Sequence, residues 1–501
     1  MSALRVVLFN PQSSASAKPI LPMSLLALGA LLEERHPYEI VDGNLVADPL
    51  AELSARILGD GRGVLLGVTV MPGPQLERAA PLCRELKWRH PRLTVVWGGY
   101  FPTQHWDVCL RSGYVDFVVR GHGERAFAAL ADALAAGEEP GEIPGLARRD
   151  GGSGGDPDAG PDGGVVAPLP SPQELPDFPY HRVELERYVR ATFLGRRTLA
   201  HHSSYGCPFK CNFCAVVNLV DGGWKAQSAE RAAAVARRLH DEHGADAIEL
   251  YDNNFFVHEA RTAEFAERIA GLGVGWWGES RIDTLLRYSE ETWEAMAGSG
   301  LRMVFLGAES GSDETLARMN KGGTAKVADT LAIVEQAARF GIVPELSFVL
   351  GNPPDPEADA ESTIRFVRRV KEINPHAEII LYLYTPVPLA GTLYEEAKQQ
   401  GFRFPESLEE WVSPQWLDFA QRRSASLPWL EDPLRRRMLE FERVLNGYYP
   451  TSTDQRLRGL RRAALRALAG WRYRLGFYRW PLELELMQRL IAYQRPETSG
   501  F

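Results

Sequence analysis

The stretch HHSSYGCPFKCNFC at residues 201–214 places cysteines at positions 207, 211 and 214. Iron–sulfur clusters of the four-iron type normally take four thiolates, so a C-x3-C-x2-C array leaves one iron open to bind and activate something else. The spacing departs from the C-x2-C pairs of zinc ribbons and from a secreted disulfide framework. Two plainer readings stand beside it: three incidental buried cysteines, or a zinc site short of a fourth ligand. The flanking sequence weighs against both, because the motif follows a strand pattern over 198–206 that repeats further along the chain.

From Thr198 onward, strand and helix alternate six times. Strands are expected near 198–206, 247–252, 274–280, 302–309, 343–351 and 378–385, with helices near 227–243, 258–271, 289–299, 324–340 and 359–373. This is the pattern of a partial (β/α)6 TIM-type barrel, whose chemistry sits on loops at the carboxyl ends of the strands. The cysteine motif, with Phe213 just before its third cysteine, resembles the cluster motif of radical S-adenosylmethionine (SAM) enzymes. So do GAESGSDETLARMNKG at 307–322, GNPPD after the fifth strand and YTPVPLAGTLYE after the sixth. The resemblance implies a 4Fe-4S cluster held by Cys207, Cys211 and Cys214. Its open iron would chelate the amino and carboxylate groups of SAM, and an electron from it would cleave the sulfonium to a 5′-deoxyadenosyl radical.

A SAM site implies polar groups on the other strand ends. After the second strand, Asp252, Asn253 and Asn254 offer acceptors to the SAM ammonium. The third strand end carries Glu279, Arg281 and Asp283 at alternate positions, which point the same way in extended chain. The fourth buries Glu309 among apolar neighbours, beside Ser310. A buried glutamate is costly unless paired, so a ligand ammonium, a ribose or Arg281 is its expected partner. Plainer roles stay open: an ion pair between Glu279 and Arg281, Asp252 capping the following helix, and Glu309 serving barrel backbone. No proton-transfer residue can be assigned.

The first part of the chain shows five apolar runs: LRVVLFNP at 4–11, YEIVDGN at 38–44, GVLLGVTV at 63–70, LTVVWGGY at 93–100 and VDFVVRGHGE at 115–124. Helical patterns such as 23–35 and 74–89 separate them, which predicts a parallel sheet covered on both faces, with ligands beyond the carboxyl ends of the strands. Asn10, Asp42, Thr69 with Met71, Gly98 with Gly99, and Gly121 with Gly123 fall on that rim, where glycines let backbone approach a large flat ligand. With its Gly-Gly after the fourth strand and its Gly-x-Gly-Glu ending at Glu124, this half resembles the cobalamin-binding domain that precedes the barrel in one radical SAM subgroup. It lacks the Asp-x-His-x-x-Gly signature, since the loop NPQSSASAKP has no histidine; cobalt would then have no lower ligand from that loop. The same departure occurs in the subgroup resembling anaerobic magnesium-protoporphyrin ester cyclase. The alternative is a flavodoxin-like domain that binds a nucleotide or nothing.

The expected organisation is α/β throughout: a Rossmann-like (flavodoxin-like) cobalamin-binding domain over 1–140, a linker over 141–195, a radical SAM domain over 196–400 and a helical C-terminal domain over 401–501. Within the linker, a Gly/Asp/Pro tract reads as a hairpin tip, and PLPSPQELPDFPYHR at 168–182 as a proline-stiffened tether. The C-terminal region is rich in tryptophan and is expected to close the substrate side of the barrel. Between Arg456 and Arg479 it carries eight arginines and no acids, either a packed helix or a weak contact of residues 450–490 with an anionic membrane surface. The formal charge of −9 argues against nucleic acid as a partner. Cys83 and Cys109 read as core residues. Cysteine usage and the absence of a leader or membrane-spanning run predict a cytoplasmic enzyme. Methyl transfer to an unactivated carbon of a small molecule, with a flavodoxin or ferredoxin as low-potential donor, is the reading the resemblance favours. A cyclase-like or oxidative radical reaction and a non-catalytic cobalamin or redox sensor are its rivals. A transfer-RNA methylthiotransferase would need a second, N-terminal cysteine triad, which is missing.

Overall fold

Short branched apolar runs become parallel strands when helices cover both faces of the sheet, and the chain uses this construction twice. A computed structural model describes residues 4–491 apart from 14–18, 58, 150–165, 221, 322, 324, 390–391, 421–426, 452–456 and 458. In the first sheet, β1 (Arg5–Asn10), β2 (Tyr38–Asp42), β3 (Val64–Thr69), β4 (Thr94–Gly98) and β5 (Phe117–Val119) pair in parallel in the order β2-β1-β3-β4-β5. β6 (Leu146–Arg148), from the segment read as linker, adds antiparallel to β5. The expected strand over 115–124 is cut short because Gly121 turns the chain at φ +83° and Glu124 opens the helix Glu124–Ala136. Helix Pro74–Arg89 lies where the pattern put it and buries Leu76, Ala79, Ala80, Cys83 and Leu86 on one face. Strand order reverses between β1 and β3, which opens a crevice beyond the carboxyl ends of those strands.

The second sheet has its strands in chain order. β7 (Thr198–His201) is followed by the short pair β8 (Ser204–Gly206) and β9 (Trp224–Ala226), then β10 (Ala247–Leu250), β11 (Gly275–Ser280), β12 (Leu301–Glu309), β13 (Val343–Leu350) and β14 (Glu378–Leu383). β7 and β10 to β14 form six parallel neighbours, with helices Ala229–His243, Glu259–Ile269, Glu290–Gly298, Val327–Arg339 and Pro356–Ile373 between them. Ser228, Ser289 and Asp355 cap three of these helices through their side chains. The expected first strand over 198–206 is split. Its second half leaves the barrel sheet and pairs antiparallel with β9, so the cysteines ride on the loop of a hairpin.

The proline-rich tether is strapped down rather than spanning free space. Arg231 donates to the carbonyls of Pro172, Gln173 and Leu175 and to Asp177. Most of the Gly/Asp/Pro tract read as a hairpin tip lies outside the described residues. Beyond the barrel, Trp411 packs edge-on against Phe101 of the N-terminal half at 5.1 Å, and Trp429 donates to the carbonyl of Gly351 at the end of β13. This aromatic segment therefore bridges the two sheets at the barrel's carboxyl end. Helices Asp432–Tyr448, Gly459–Leu475 and Leu482–Ile491 follow. Among the described residues, no helix is long and apolar enough to cross a membrane.

Candidate active site

The cysteine hairpin depends on glycine at its base. Gly206 has φ +78°, and a Cβ there would lie 2.2 Å from the carbonyl oxygen of Gly223 across the hairpin, so no other residue lets the strands close. The loop is tied to the chain after β12, with Asn212 donating to the carbonyls of Met319 and Arg318. Asn254 Nδ2 lies 3.8 Å from Cys207 Sγ, Arg281 Nη1 donates to Cys211 Sγ at 3.4 Å, and the Cys214 amide donates to the Cys211 carbonyl. Burial pushes the Cys214 thiol up to about 12, and neighbouring Cys211 and Cys207 push the same way. Cys211 is also raised by burial, opposed by Lys321 and Arg281. Such thiols ionise only with a compensating cation at hand. Among the described residues no three His, Cys, Asp or Glu side chains sit together as for a single ion; thiolates of a cluster bind separate irons.

The expected SAM residues divide. Among the described residues Glu279 has no hydrogen bond or ion pair, and burial followed by the charge of Asp252 pushes its carboxyl up to about 8. A bare carboxyl in that setting suits a ligand ammonium. Asn254 is buried with an unpartnered Oδ1, whereas Asn253 is exposed. Asp252 is fully committed: it accepts from the Ser203 amide and from the hydroxyls of Ser203 and Ser204, all within 2.7 Å. It thus braces the split between β7 and β8 instead of capping a helix.

Arg281 does not pair with Glu279 or Glu309, a correction to the alternate-position reading. β11 ends at Ser280 and a short helix, Ile282–Leu285, begins at once, which turns Asp283 back onto Arg281 at 2.9 Å. The guanidinium also lies over the Phe209 ring, 3.9 Å from its centroid, and donates to the Lys321 carbonyl. Glu309 pairs instead with Lys321 at 2.5 Å, both buried. Ser310 turns away from the barrel mouth to donate to Asp359. Lys321 escaped the sequence reading, although it stands inside the quoted GAESGSDETLARMNKG phrase.

On the N-terminal rim, Asn10 donates to Asp42 and accepts from Gln75, while Asp42 also accepts from Tyr188 of the connector at 2.9 Å. Thr69 accepts weakly from Ser24, and the Met71 amide donates to Gln75. A Cβ at Gly99 would crowd Thr69 and Val70, whereas Gly98 has only Val119 within 4 Å and faces room. At Gly121 a Cβ would lie 2.4 Å from Val166 and 3.1 Å from the carbonyl oxygen of Leu219, which follows the cysteines. Gly123 sits close to Val119. His122 stacks on Tyr205, centroids 4.5 Å apart. Glu124 is buried and its Oε2 has no partner; burial raises its carboxyl, but His122 and Tyr205 outweigh that and leave it below the usual range. The N-terminal glycine rim and the cysteine hairpin are therefore in direct contact, through Gly121, which the sequence reading placed on the rim, and through His122 and Tyr205, which it passed over.

The chain matches the radical SAM superfamily over residues 202–367 and the B12 binding domain over 15–131. It is 28% identical over 383 residues to an uncharacterised methyltransferase of Pyrococcus horikoshii, covering 74% of this chain and 79% of that protein. It is 27% identical to the anaerobic magnesium-protoporphyrin IX monomethyl ester cyclase of a Synechocystis species, spanning 64% of each. Among solved structures, the radical SAM methyltransferase TsrM of Kitasatospora setae, with cobalamin and [4Fe-4S] cluster bound, superposes with a TM-score of 0.61 at 19% identity, over 80% of this chain and 79% of that one. The cobalamin-dependent radical enzyme OxsB, with aqua-cobalamin and SAM bound, gives 0.66 at 15% identity, over 98% and 76%. At such identities the likeness to both structures is one of fold.

Proposed function

As a member of the cobalamin-binding radical SAM enzymes, this chain, we propose, transfers a methyl group from SAM to an unactivated carbon of a small molecule. The observation that carries the reading is the contact between the two rims: Gly121 beside Leu219 and His122 stacked on Tyr205 set the N-terminal crevice against the cysteine hairpin. A substrate held there would meet both cofactors without diffusing, the proximity a reactive intermediate needs.

The residues present suit these groups. Cys207, Cys211 and Cys214 would hold the cluster, with Glu279 and Asn254 offering a bare carboxyl and a free acceptor to SAM. The open space at Gly98, the tight turn at Gly99 and the orphan oxygen of Glu124 suit a cobalamin edge, alongside the rest of the rim. Bound, the cluster and SAM supply one-electron cleavage that enables hydrogen abstraction, and cobalamin supplies a methyl carrier. The chain's own residues position and insulate. Arg281 donates to the Cys211 sulfur and so offsets thiolate charge; Asn254 fixes Cys207; the Trp411 and Trp429 segment helps exclude water from the barrel mouth. A low-potential donor such as a flavodoxin or ferredoxin would supply the electron, in the reducing cytoplasm.

Turnover of the true substrate with methyl-labelled SAM and a low-potential reductant tests the reading. S-adenosylhomocysteine and 5′-deoxyadenosine in near-equal amounts, with label on the product, are expected. Deoxyadenosine with an unlabelled product would replace methyl transfer by a cyclase-like or oxidative reaction.

A further inference from the structure

Eleven large apolar side chains are exposed among the described residues, and nine of them lie between Leu460 and Leu490. That concentration is patterned. On helix Gly459–Leu475, Leu460, Leu468, Trp471 and Leu475 recur at steps of eight, three and four, which puts them on one face. Leu460 is 89% exposed and Leu475 75%. The opposite face, with Leu465, Ala469 and Tyr473, is buried. On helix Leu482–Ile491, Leu482, Leu486 and Leu490 recur every four residues and are also exposed, while Leu484 is buried. The turn between the helices adds exposed Phe477 and Trp480, and Phe477 stacks on Trp471 at 5.9 Å.

The charges beside these stripes that lack an ionic partner among the described residues are of one sign. Arg461, Arg466, Arg474 and Arg479 are exposed, and none has an acidic partner among the described residues. The acids Glu483 and Glu485 are taken up by Arg472, Arg443 and Arg489. This occurs in a chain whose net charge is −9. Beside the turn, a surface cleft of about 290 Å³ is lined by Arg365, Arg368 and Arg437 with Gly476 and Tyr478, and only one acid, Glu361, faces it. Arg437 there pairs with Glu361 at 2.6 Å and lies 3.6 Å from Glu357, and Arg365 lies 3.7 Å from Glu361, so the charges of the cleft are largely taken up within the chain and the free charge of this face rests on Arg461, Arg466, Arg474 and Arg479.

We propose that the face formed by residues 459–490 docks on an anionic lipid bilayer surface, with the leucine stripes and Trp480 entering the headgroup boundary and the unpaired arginines meeting lipid phosphates. Apolar stripes beside unpaired arginines are what such a surface selects, whereas a second copy docking by the same face would set these arginines against their own kind. The surface is independent of the chemistry at the barrel mouth.

Flotation of the full chain with phosphatidylcholine vesicles, with and without phosphatidylserine, tests this. Binding is expected only with phosphatidylserine and should weaken with salt. Replacing Arg474 and Arg479 together by glutamine removes two surface charges and should weaken binding about tenfold or more at low salt. Leu475→Glu with Leu486→Glu should abolish it; all four positions are exposed, and unchanged iron content after reconstitution would confirm folding. Absence of binding to either vesicle, or equal binding to both, would overturn the proposal. So would self-association that Leu475→Glu dissolves while vesicles are ignored, since the covering partner would then be a second copy.

Discussion

Glu309 stands in left-handed backbone at φ +65°, a region that costs a residue with a Cβ about 1–3 kcal/mol. Its carboxylate folds back over Gly307, where a Cβ would lie 2.0 Å from Oε1, and reaches buried Lys321. Removing one partner of a buried pair strands the other charge, so Lys321→Met should cost about 3–5 kcal/mol in denaturant unfolding; a loss under about 1 kcal/mol would mean that water compensates Glu309. Glu345, on β13, accepts from Trp277; burial, joined by the charges of Glu378, Glu279 and Glu249, pushes it up to about 8 from an ordinary 4.5. The folded chain therefore keeps a proton there that the unfolded chain releases. The sign follows: the stability linked to this group is fully present below pH 4.5 and is lost as pH rises through about 8. Glu345→Gln should flatten the stability curve across that window by on the order of a few kcal/mol at most, read by urea unfolding at stepped pH. At this scale the cysteines were legible because their spacing is itself the chemistry. The partners were not: whether Glu309 meets Arg281 or Lys321 depends on a loop path between strands, and Arg281 was misjudged because one peptide past β11 the chain turns helical and brings Asp283 back.

The elements themselves follow from the pattern more closely than their ends do. Apolar runs bounded by turn formers located the parallel strands of both sheets, and the apolar spacing of Pro74–Arg89 located that helix. The split between β7 and β8 was hidden because TLAHHSSYG holds no proline and no glycine before Gly206 to mark a break; what breaks it is Asp252, a strand away, gathering the amide of Ser203 and the hydroxyls of Ser203 and Ser204. The hairpin that results should be sensitive to its base. Gly206→Ala places a methyl against the Gly223 carbonyl in positive-φ backbone, so iron incorporated on anaerobic reconstitution should fall well below the wild-type level while far-ultraviolet circular dichroism stays unchanged. Full iron loading in that variant would mean that the cysteine loop does not depend on the hairpin. The tether offers a second element-scale check. Arg231→Ala removes five hydrogen bonds to residues 172–177, and hydrogen bonds to a charged group contribute roughly 1.5–3 kcal/mol each before relaxation. Limited proteolysis should then cut first within 168–182; an unchanged cleavage pattern would show that the tether is held by its apolar contacts alone.

For the whole molecule, two sheet types and their order could be read from periodicity and motif, while the way they meet could not, because no local pattern encodes which loops touch across a domain boundary. The contact turns out to be made by small and planar groups: Gly121 admits Val166 and the Leu219 carbonyl, His122 lies on Tyr205, and Trp411 packs on Phe101. An aromatic stack contributes only about 0.5–1.5 kcal/mol beyond burial, so the rims are held by several modest contacts and their separation should be tunable. Gly121→Val tests this most sharply. Its Cβ would fall 2.4 Å from Val166 in backbone at φ +83°, and the added methyls would press on the helix that follows the cysteines. Apolar clusters away from this turn also join the two halves, so iron binding and secondary structure should survive while the rims part locally. The cysteine site should still cleave SAM when reduced, but the substrate would no longer be held against the N-terminal crevice. Deoxyadenosine should therefore accumulate in several-fold excess over methylated product, where the wild type gives near-equal amounts, and small-angle scattering should show a larger radius of gyration. A variant that keeps the wild-type ratio at an unchanged radius would mean that the rims do not need this contact to act on one substrate.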